Sequence, residues 1–328
     1  MTHIACVVPV LNEAPNIDEL VTRLSAALEG ISPDHQILIV DDGSRDETWP
    51  RLKAHAARDP RIEGIRLSRN FGQHTAITAG LDAADADWVV VLDGDLQDRP
   101  EVIPDLYAKA QEGHDVVFVE REDRPEGKLY MAAQRLFYRT LRGLTDTAYD
   151  GAHGNFSIIS RTVLTRYQEL SEGGRFYGGL VDWLGFERVG IRAKHGARFA
   201  GAPSYNLFKR LRFAKNIVLS FSTKPLDLTL SIGLVVTVAA LLFGCVILFR
   251  AFFFGYAIEG WASIMVSIYF LGGVQMVMIG MVGLYVGRIS EEVKRRPGYV
   301  TRERLSPATA RTAVTEPASR LSGLSVVE

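Results

Sequence analysis

The chain has few cysteines, almost no net charge and none of the glycine-rich phosphate loops that many nucleotide-binding sheets carry. Its two cysteines, Cys6 in a strand pattern and Cys245 in a long apolar run, supply neither a disulfide framework nor a zinc site. A formal net charge of −1 gives no overall electrostatic case for nucleic acid binding, so any basic surface must be local. The first strand pattern runs into Val10-Leu11-Asn12-Glu13 where a dinucleotide-binding sheet would need G-x-G-x-x-G, and a P-loop is also missing. The amino terminus lacks a basic n-region ahead of an apolar h-region, so the sheet-forming part is expected to stay in the cytoplasm.

What the 328 residues do contain is core material, at 47% hydrophobic, enough for one large or two ordinary domains. The stretch Trp88 to Pro100, WVVVLDGDLQDRP, organises the rest. Val89 to Leu92 is a continuous apolar run, as expected of a strand covered on both faces inside a parallel sheet. It ends in Asp93, Asp95 and Asp98, where open α/β sheets bind ligands. Carboxylates this close repel one another unless a cation neutralises them. An Asp-x-Asp pair supplies hard oxygen ligands for Mg²⁺ or Mn²⁺ shared with substrate phosphates. The competing reading is a solvated acidic turn.

Strands are predicted at Ile4 to Val10, His35 to Val40, Ile62 to Leu67, Val89 to Leu92 and Asp115 to Glu120. Helical patterns lie between them, from about Asn16 to Leu28, from a cap at Ser44 or Asp46 toward Ala57, through Ala84, and from Glu101 to Gln111. This alternation predicts right-handed crossovers and a mostly parallel α/β sheet with helices on both faces. Acidic groups recur at three strand exits: Glu13, then Asp41 and Asp42, then Asp93 and Asp95.

Four motifs in order, VVPVLNE (Val7 to Glu13), DDGSRDET (Asp41 to Thr48), LSRNFGQHTAITAGLDAA (Leu67 to Ala84) and VVLDGDLQDRPE (Val90 to Glu101), resemble family 2 glycosyltransferases of GT-A fold. More narrowly, they resemble the polyprenyl-phosphate glycosyltransferases, a group that includes dolichyl-phosphate mannose synthase and bactoprenol glucosyltransferase. The resemblance runs from about residue 4 to 296. It implies a Rossmann-like GT-A domain using a nucleotide-diphosphate sugar, a polyprenyl phosphate and a divalent metal, and a homo-oligomer, namely a tetramer. Pro9, Asn12, Glu13, Asp41, Asp42 and Ser44 would then surround the nucleotide. Asp93 and Asp95 would hold ribose, diphosphate and metal, with Gln97 close by.

Residues 121 to 142 interleave Arg121, Arg124, Lys128, Arg135, Arg139 and Arg142 with apolar side chains at helical spacing. That pattern alone favours a solvated surface helix. The resemblance assigns Arg121 and Arg135 to donor and acceptor phosphates, a task suited to the guanidinium fork. It places Arg139 on the acceptor side. Where the group often reads D-x-G-D-F-R, this chain has Asn155 and Ser157. An amide can orient but cannot serve as a general base. A phosphomonoester with a second pKa near 6 is already largely dianionic at neutral pH, so the reaction does not demand a base.

Gly201 to Arg212 resembles the stretch before an interfacial helix, with Ser204 and Tyr205 near the acceptor. Lys209, Arg210, Arg212 and Lys215 among apolar residues suit a helix lying on an anionic leaflet. Leu228 to Phe249 and Trp261 to Val286 are uncharged and long enough to cross a bilayer. Basic flanks on both sides place the two ends in the cytoplasm and the connector outside. The expected layout is a catalytic domain over 1–200, a juxtamembrane segment over 201–226, two membrane helices within 227–288 and an unstructured basic tail over 289–328. The expected function is an inverting transfer of sugar from a nucleotide-diphosphate sugar to a polyprenyl phosphate at the inner, cytoplasmic membrane face. Transfer to a polysaccharide lacks its usual Q-x-x-R-W motif, and a catalytically silent membrane adaptor has only Asn155 in its favour.

Overall fold

The computed structural model describes residues 2–121, 153–170, 176–193, 224–254, 260–294 and 296–305. Arg135, Arg139, Ser204, Tyr205, Lys209, Arg210 and Arg212, and with them the expected interfacial helix, lie outside the described residues. The chain divides into two compact units, residues 1–128 with 149–204 and 297–328, and residues 129–148 with 205–296.

The first unit is built on the expected alternation. Strands β1 (Thr2–Val10), β2 (His35–Asp41), β3 (Ile62–Leu67) and β4 (Ala86–Val91) alternate with α1 (Ile17–Glu29), α2 (Thr48–Ala56) and α3 (Gln73–Ala83). A single 3-10 turn, Pro100–Val102, leads into α4 (Ile103–Ala110) and β5 (Val116–Arg121). Then come β6 (His153–Ser160), α5 (Arg161–Glu169), α6 (Tyr177–Trp183) and β7 (Arg188–Ala193). Apolar runs on β1, β2 and β4 are fully buried, and α1 packs Leu20, Leu24 and Leu28 into the same core. Cys6 lies in that core, where burial pushes its thiol pKa far up and leaves it unreactive.

With an eighth strand, β8 (Thr301–Leu305), at one edge, strand order is β7-β5-β6-β4-β1-β2-β3-β8. The pairs β4–β1, β1–β2, β2–β3 and β5–β7 are parallel, whereas β4–β6, β5–β6 and β3–β8 are antiparallel. The sheet is therefore parallel at its centre and mixed overall. An antiparallel strand needs no helical crossover, so the β-α-β rhythm that exposes β1 to β4 in the sequence carries no signal for β6.

The eighth strand departs from expectation. Residues beyond Pro297 read as unstructured, yet β8 (Thr301–Leu305) pairs with the outer edge of β3 and satisfies backbone groups that an open edge would leave unpaired. Its sequence, Thr-Arg-Glu-Arg-Leu, is too polar to announce a strand.

The second unit contributes two long helices, α7 (Lys224–Phe254) and α8 (Trp261–Val293). At 1.5 Å per residue they extend about 46 and 50 Å, more than the roughly 30 Å of a hydrocarbon core. Among the described residues one stretch, Phe270–Gly287 of α8, is long and apolar enough to cross a membrane, and none of it is buried. Large apolar side chains such as Leu230, Leu242, Phe252, Met276 and Ile279 are exposed on both helices. The absence of a side chain at Gly233 admits Met278 of α8 against α7, while Gly272, Gly273, Gly280, Gly283 and Gly287 face open space.

Candidate active site

Parallel register brings the carboxyl ends of β1, β2 and β4 together, with Val10 opposite Asp41 and Val7 opposite Val91. The three acidic exits are thus adjacent in space because the strands that carry them are neighbours.

At the β2 exit, Asp41 is fully buried. Its Oδ1 accepts the backbone N–H of Ser44 at 2.8 Å, which closes the turn, and Arg66 Nε lies 3.2 Å from Oδ2. That second contact is a charge contact rather than an aimed hydrogen bond. Gly43, at φ +77°, lets the turn press on Arg69, where an added Cβ would meet backbone at 2.6 Å. Asp42 accepts the backbone N–H of Phe71 at 2.7 Å and of Gly72 at 2.9 Å, tying the β2 loop to the start of α3. Burial raises the Asp42 pKa against the pull of these two donors.

The β1 loop meets the same turn. Asn12 adopts φ +54°, a conformation Asn tolerates, donates its backbone N–H to Ser44 Oγ and accepts from Arg45 N. Glu13 donates its N–H to Thr48 Oγ1 and accepts from the Asn16 amide. Pro9 lies in β1, its carbonyl close to Gly94, where a Cβ would also meet Val10 Cγ1 at 2.6 Å. Ser44 is a loop partner and not the helix cap; Asp46 accepts from Thr48 at the start of α2.

At the β4 exit, Leu96 takes φ +61°, a strained position for a bulky residue, and buries its side chain in the core. This anchors the turn and leaves Asp93, Asp95 and Gln97 partly exposed around it. Asp98 turns inward and is 4% exposed. Asp93 Oδ1 accepts from Gln73 Nε2 at 2.6 Å and from Asn155 Nδ2 at 3.0 Å. The Asn155 contact follows from register: β6 runs antiparallel to β4 with Val91 opposite Ser157, so Asn155 falls opposite Asp93. Asp95 Oδ1 accepts the backbone N–H of Gln97 at 3.1 Å. Next to Gln73, His74 packs edge-on against Phe176 at 4.6 Å, and burial lowers its pKa to about 4, so the imidazole is neutral at pH 7.

No group of three or more His, Cys, Asp or Glu that could cage a metal occurs among the described residues. Two aspartates on one turn nevertheless fit a hard cation that draws its remaining ligands from phosphate and water, the usual arrangement for Mg²⁺. Glu13, Asp41, Asp42, Ser44, Asn12, Asp93 and Asp95 stand on adjacent loops, and Asn155 joins them. Arg121 ends β5, with only its backbone described. Sequence reasoning passed over Arg66, a charged residue inside a strand pattern, and Gln73, whose role depends on a partner 20 residues away.

The fold and site together define an α/β enzyme-type sheet with a paired-aspartate turn at its carboxyl edge. Residues 5–167 match Glycosyl transferase family 2. An Escherichia coli prophage bactoprenol glucosyl transferase homolog is 36% identical over 90% of this chain and 97% of its own. The bactoprenol glucosyl transferase of Shigella phage SfII is 36% identical over 92% and 97%, and an uncharacterized glycosyltransferase of Bacillus subtilis is 36% identical over 90% and 92%. The chain belongs to glycosyl transferase family 2. A glucosyl-3-phosphoglycerate synthase of Mycobacterium tuberculosis, solved with Mn²⁺ and UDP, overlays at TM-score 0.48 and 19% identity, covering 66% of this chain and 76% of its own, a likeness too distant to carry function.

Proposed function

We propose that this protein is a membrane-anchored glycosyltransferase that moves a sugar from a nucleotide-diphosphate sugar to a polyprenyl phosphate at the cytoplasmic face, with inversion at the anomeric carbon. The observation that carries the reading is the held Asp93, pinned by Gln73 and Asn155 beside the buried Asp41 turn. Similarity to bactoprenol glucosyl transferases over nine-tenths of the chain supports the acceptor class.

Asp41 and Ser44 fit the nucleoside, with Pro9, Asn12, Glu13 and Asp42 shaping the loops around it. Asp93 and Asp95 would hold Mg²⁺ or Mn²⁺, which when bound offsets charge building on the leaving diphosphate. Arg121 and Arg135 are assigned to the donor and acceptor phosphates. An acceptor phosphate oxygen forms the new bond to C1 as the bond from C1 to the diphosphate oxygen breaks. The dianionic acceptor has no proton to lose, so Asn155 orients Asp93 and no base is required. A second span through α7, acceptor and membrane-surface contacts from Arg139, Ser204, Tyr205, Lys209, Arg210 and Arg212, and self-association belong to the same proposal.

Purified protein incubated with nucleotide sugars and undecaprenyl phosphate is expected to form a lipid-linked sugar. Chelation or Asp95→Ala should reduce the rate by at least about 100-fold, the scale of losing a positioned electrostatic stabiliser. No product with any donor, or undiminished product in either control, counts against the proposal.

A further inference from the structure

Arg66 is the half-buried residue of a strand whose other five positions are buried. Its guanidinium contacts Asp41 Oδ2 at 3.2 Å, donates to the Ser44 carbonyl at 3.1 Å and lies over the Trp49 ring, 5.6 Å from the centroid. It therefore grips both ends of the Asp41 turn from one side while resting on an aromatic face. Trp49 is 2% exposed, and its indole N–H needs an acceptor. That acceptor comes from the far end of the chain: Nε1 donates to Glu303 Oε2 at 3.0 Å. Register places Glu303 of β8 directly opposite Arg66 of β3, beside the irregularity between Arg66 and Leu67. Lys53 Nζ contacts the other oxygen of Glu303 at 2.6 Å and lies 6.0 Å from the same ring.

Glu303 thus sits where two cations flank one aromatic ring and its buried N–H. The Lys53 hydrogen bond holds the Glu303 carboxyl below the usual range despite partial burial, with the Trp49 N–H and the Arg66 charge adding to the effect. It is ionised at neutral pH. Removing it leaves a buried indole N–H without its acceptor and the Lys53 charge without its Glu303 partner beside the ring that supports Arg66.

We propose that β8 is a working part of the donor subsite: Glu303, acting through Trp49, is a positioning residue that holds Arg66 against Asp41 and Ser44. This rests on the assignment of the Asp41 turn to the nucleotide. The strand that closes the sheet edge, reached by the chain after α8, then helps to set nucleotide affinity.

The test uses the full chain in detergent and measures binding of UDP, GDP, CDP and ADP by calorimetry, together with donor KM and kcat. For whichever nucleotide the wild type binds, Glu303→Ala is expected to weaken binding about tenfold, the scale of one hydrogen bond to a charged group. Donor KM should rise in parallel, with a smaller change in kcat. Glu303→Gln keeps an acceptor for the indole and should recover much of the loss. A double-mutant cycle separates a relay from general loosening: Glu303→Ala should add little in an Arg66→Ala background. Unchanged nucleotide affinity in a folded Glu303→Ala protein overturns the proposal, as does full additivity with Arg66→Ala. If Glu303→Ala does not fold, Trp49→Phe, which keeps an aromatic ring and removes the N–H that Glu303 accepts, decides by the same measurement. A wild type that binds none of the four nucleotides sinks the underlying assignment as well, an outcome distinct from binding that ignores Glu303.

Discussion

Two adjacent carboxylates, Asp41 and Asp42, leave β2 side by side and enter different environments. Asp42 spends both oxygens on backbone N–H groups of the α3 loop, while Asp41 shares its charge between a turn amide and Arg66. Nothing in a DD dipeptide distinguishes them; the division is made by which loop lies on which side. Asn155 shows the opposite case. Its chemistry, an orienting amide without basic character, is legible from the residue type, and the structure supplies the partner, Asp93. His74 carries a pH prediction. The unfolded ring protonates near 6.5 and the folded ring near 4, so the unfolded chain binds more protons between those values. Stability is then complete above about pH 6.5 and declines as pH falls toward 4. A shift of this size corresponds to no more than about 3 kcal/mol, less here because the residue is partly exposed. Unfolding by urea between pH 4.5 and 7.5 should show a shallower acid-side slope in His74→Phe; identical slopes would rule the assignment out.

At the scale of elements, the turn after β4 is the part most sensitive to small changes. Leu96 in a left-handed conformation and Gly94 packed against Val10 and the Pro9 carbonyl together fix where Asp93 and Asp95 stand. Gly94→Ala would put a methyl carbon 2.6 Å from Val10 Cγ1 and 3.1 Å from Pro9 O, and either the strand or the turn must move. The expected cost is about 1–3 kcal/mol, the range for overpacking a filled site. A lower melting temperature accompanied by weaker Mn²⁺-dependent stabilisation is the expected pair of results. Unchanged melting would show that the turn relaxes freely. The strands themselves were readable because β1, β2 and β4 are continuous apolar runs buried on both faces. Their bounds moved by only a few residues. Strands β6 and β8 are not readable as sheet partners, since antiparallel strands obey no crossover rhythm and β8 is mostly polar.

For the whole molecule, α7 and α8 expose large apolar side chains, and the proposal gives these helices lipid as their surroundings. The proposed two-span topology is open to labelling. Cysteine introduced at Ala257 in the connector should react with a membrane-impermeant maleimide in intact cells. Cysteine at Ser290 should react only after permeabilisation. Protection of Ala257→Cys together with ready labelling of Ser290→Cys would invert or remove the hairpin. Cys6 is buried and should give no background, and both variants are made in a Cys245→Ser chain because Cys245 is exposed. The chain that leaves α8 then contributes β8 to the first unit, so the catalytic sheet is completed by residues that follow the apolar helices in sequence.

Residue order alone determined the central parallel strands, the paired aspartates at a strand exit and the two long apolar helices. Each of these is a local pattern whose physical meaning needs no distant partner: burial by a run of β-branched residues, or span by length. Tertiary structure alone decided that Gln73 and Asn155 hold Asp93, that Arg66 stands on Trp49, and that Glu303 reaches both from the far end of the chain. Those contacts join residues 17 to 254 positions apart, and their existence depends on strand register, which the sequence encodes only through the folded sheet.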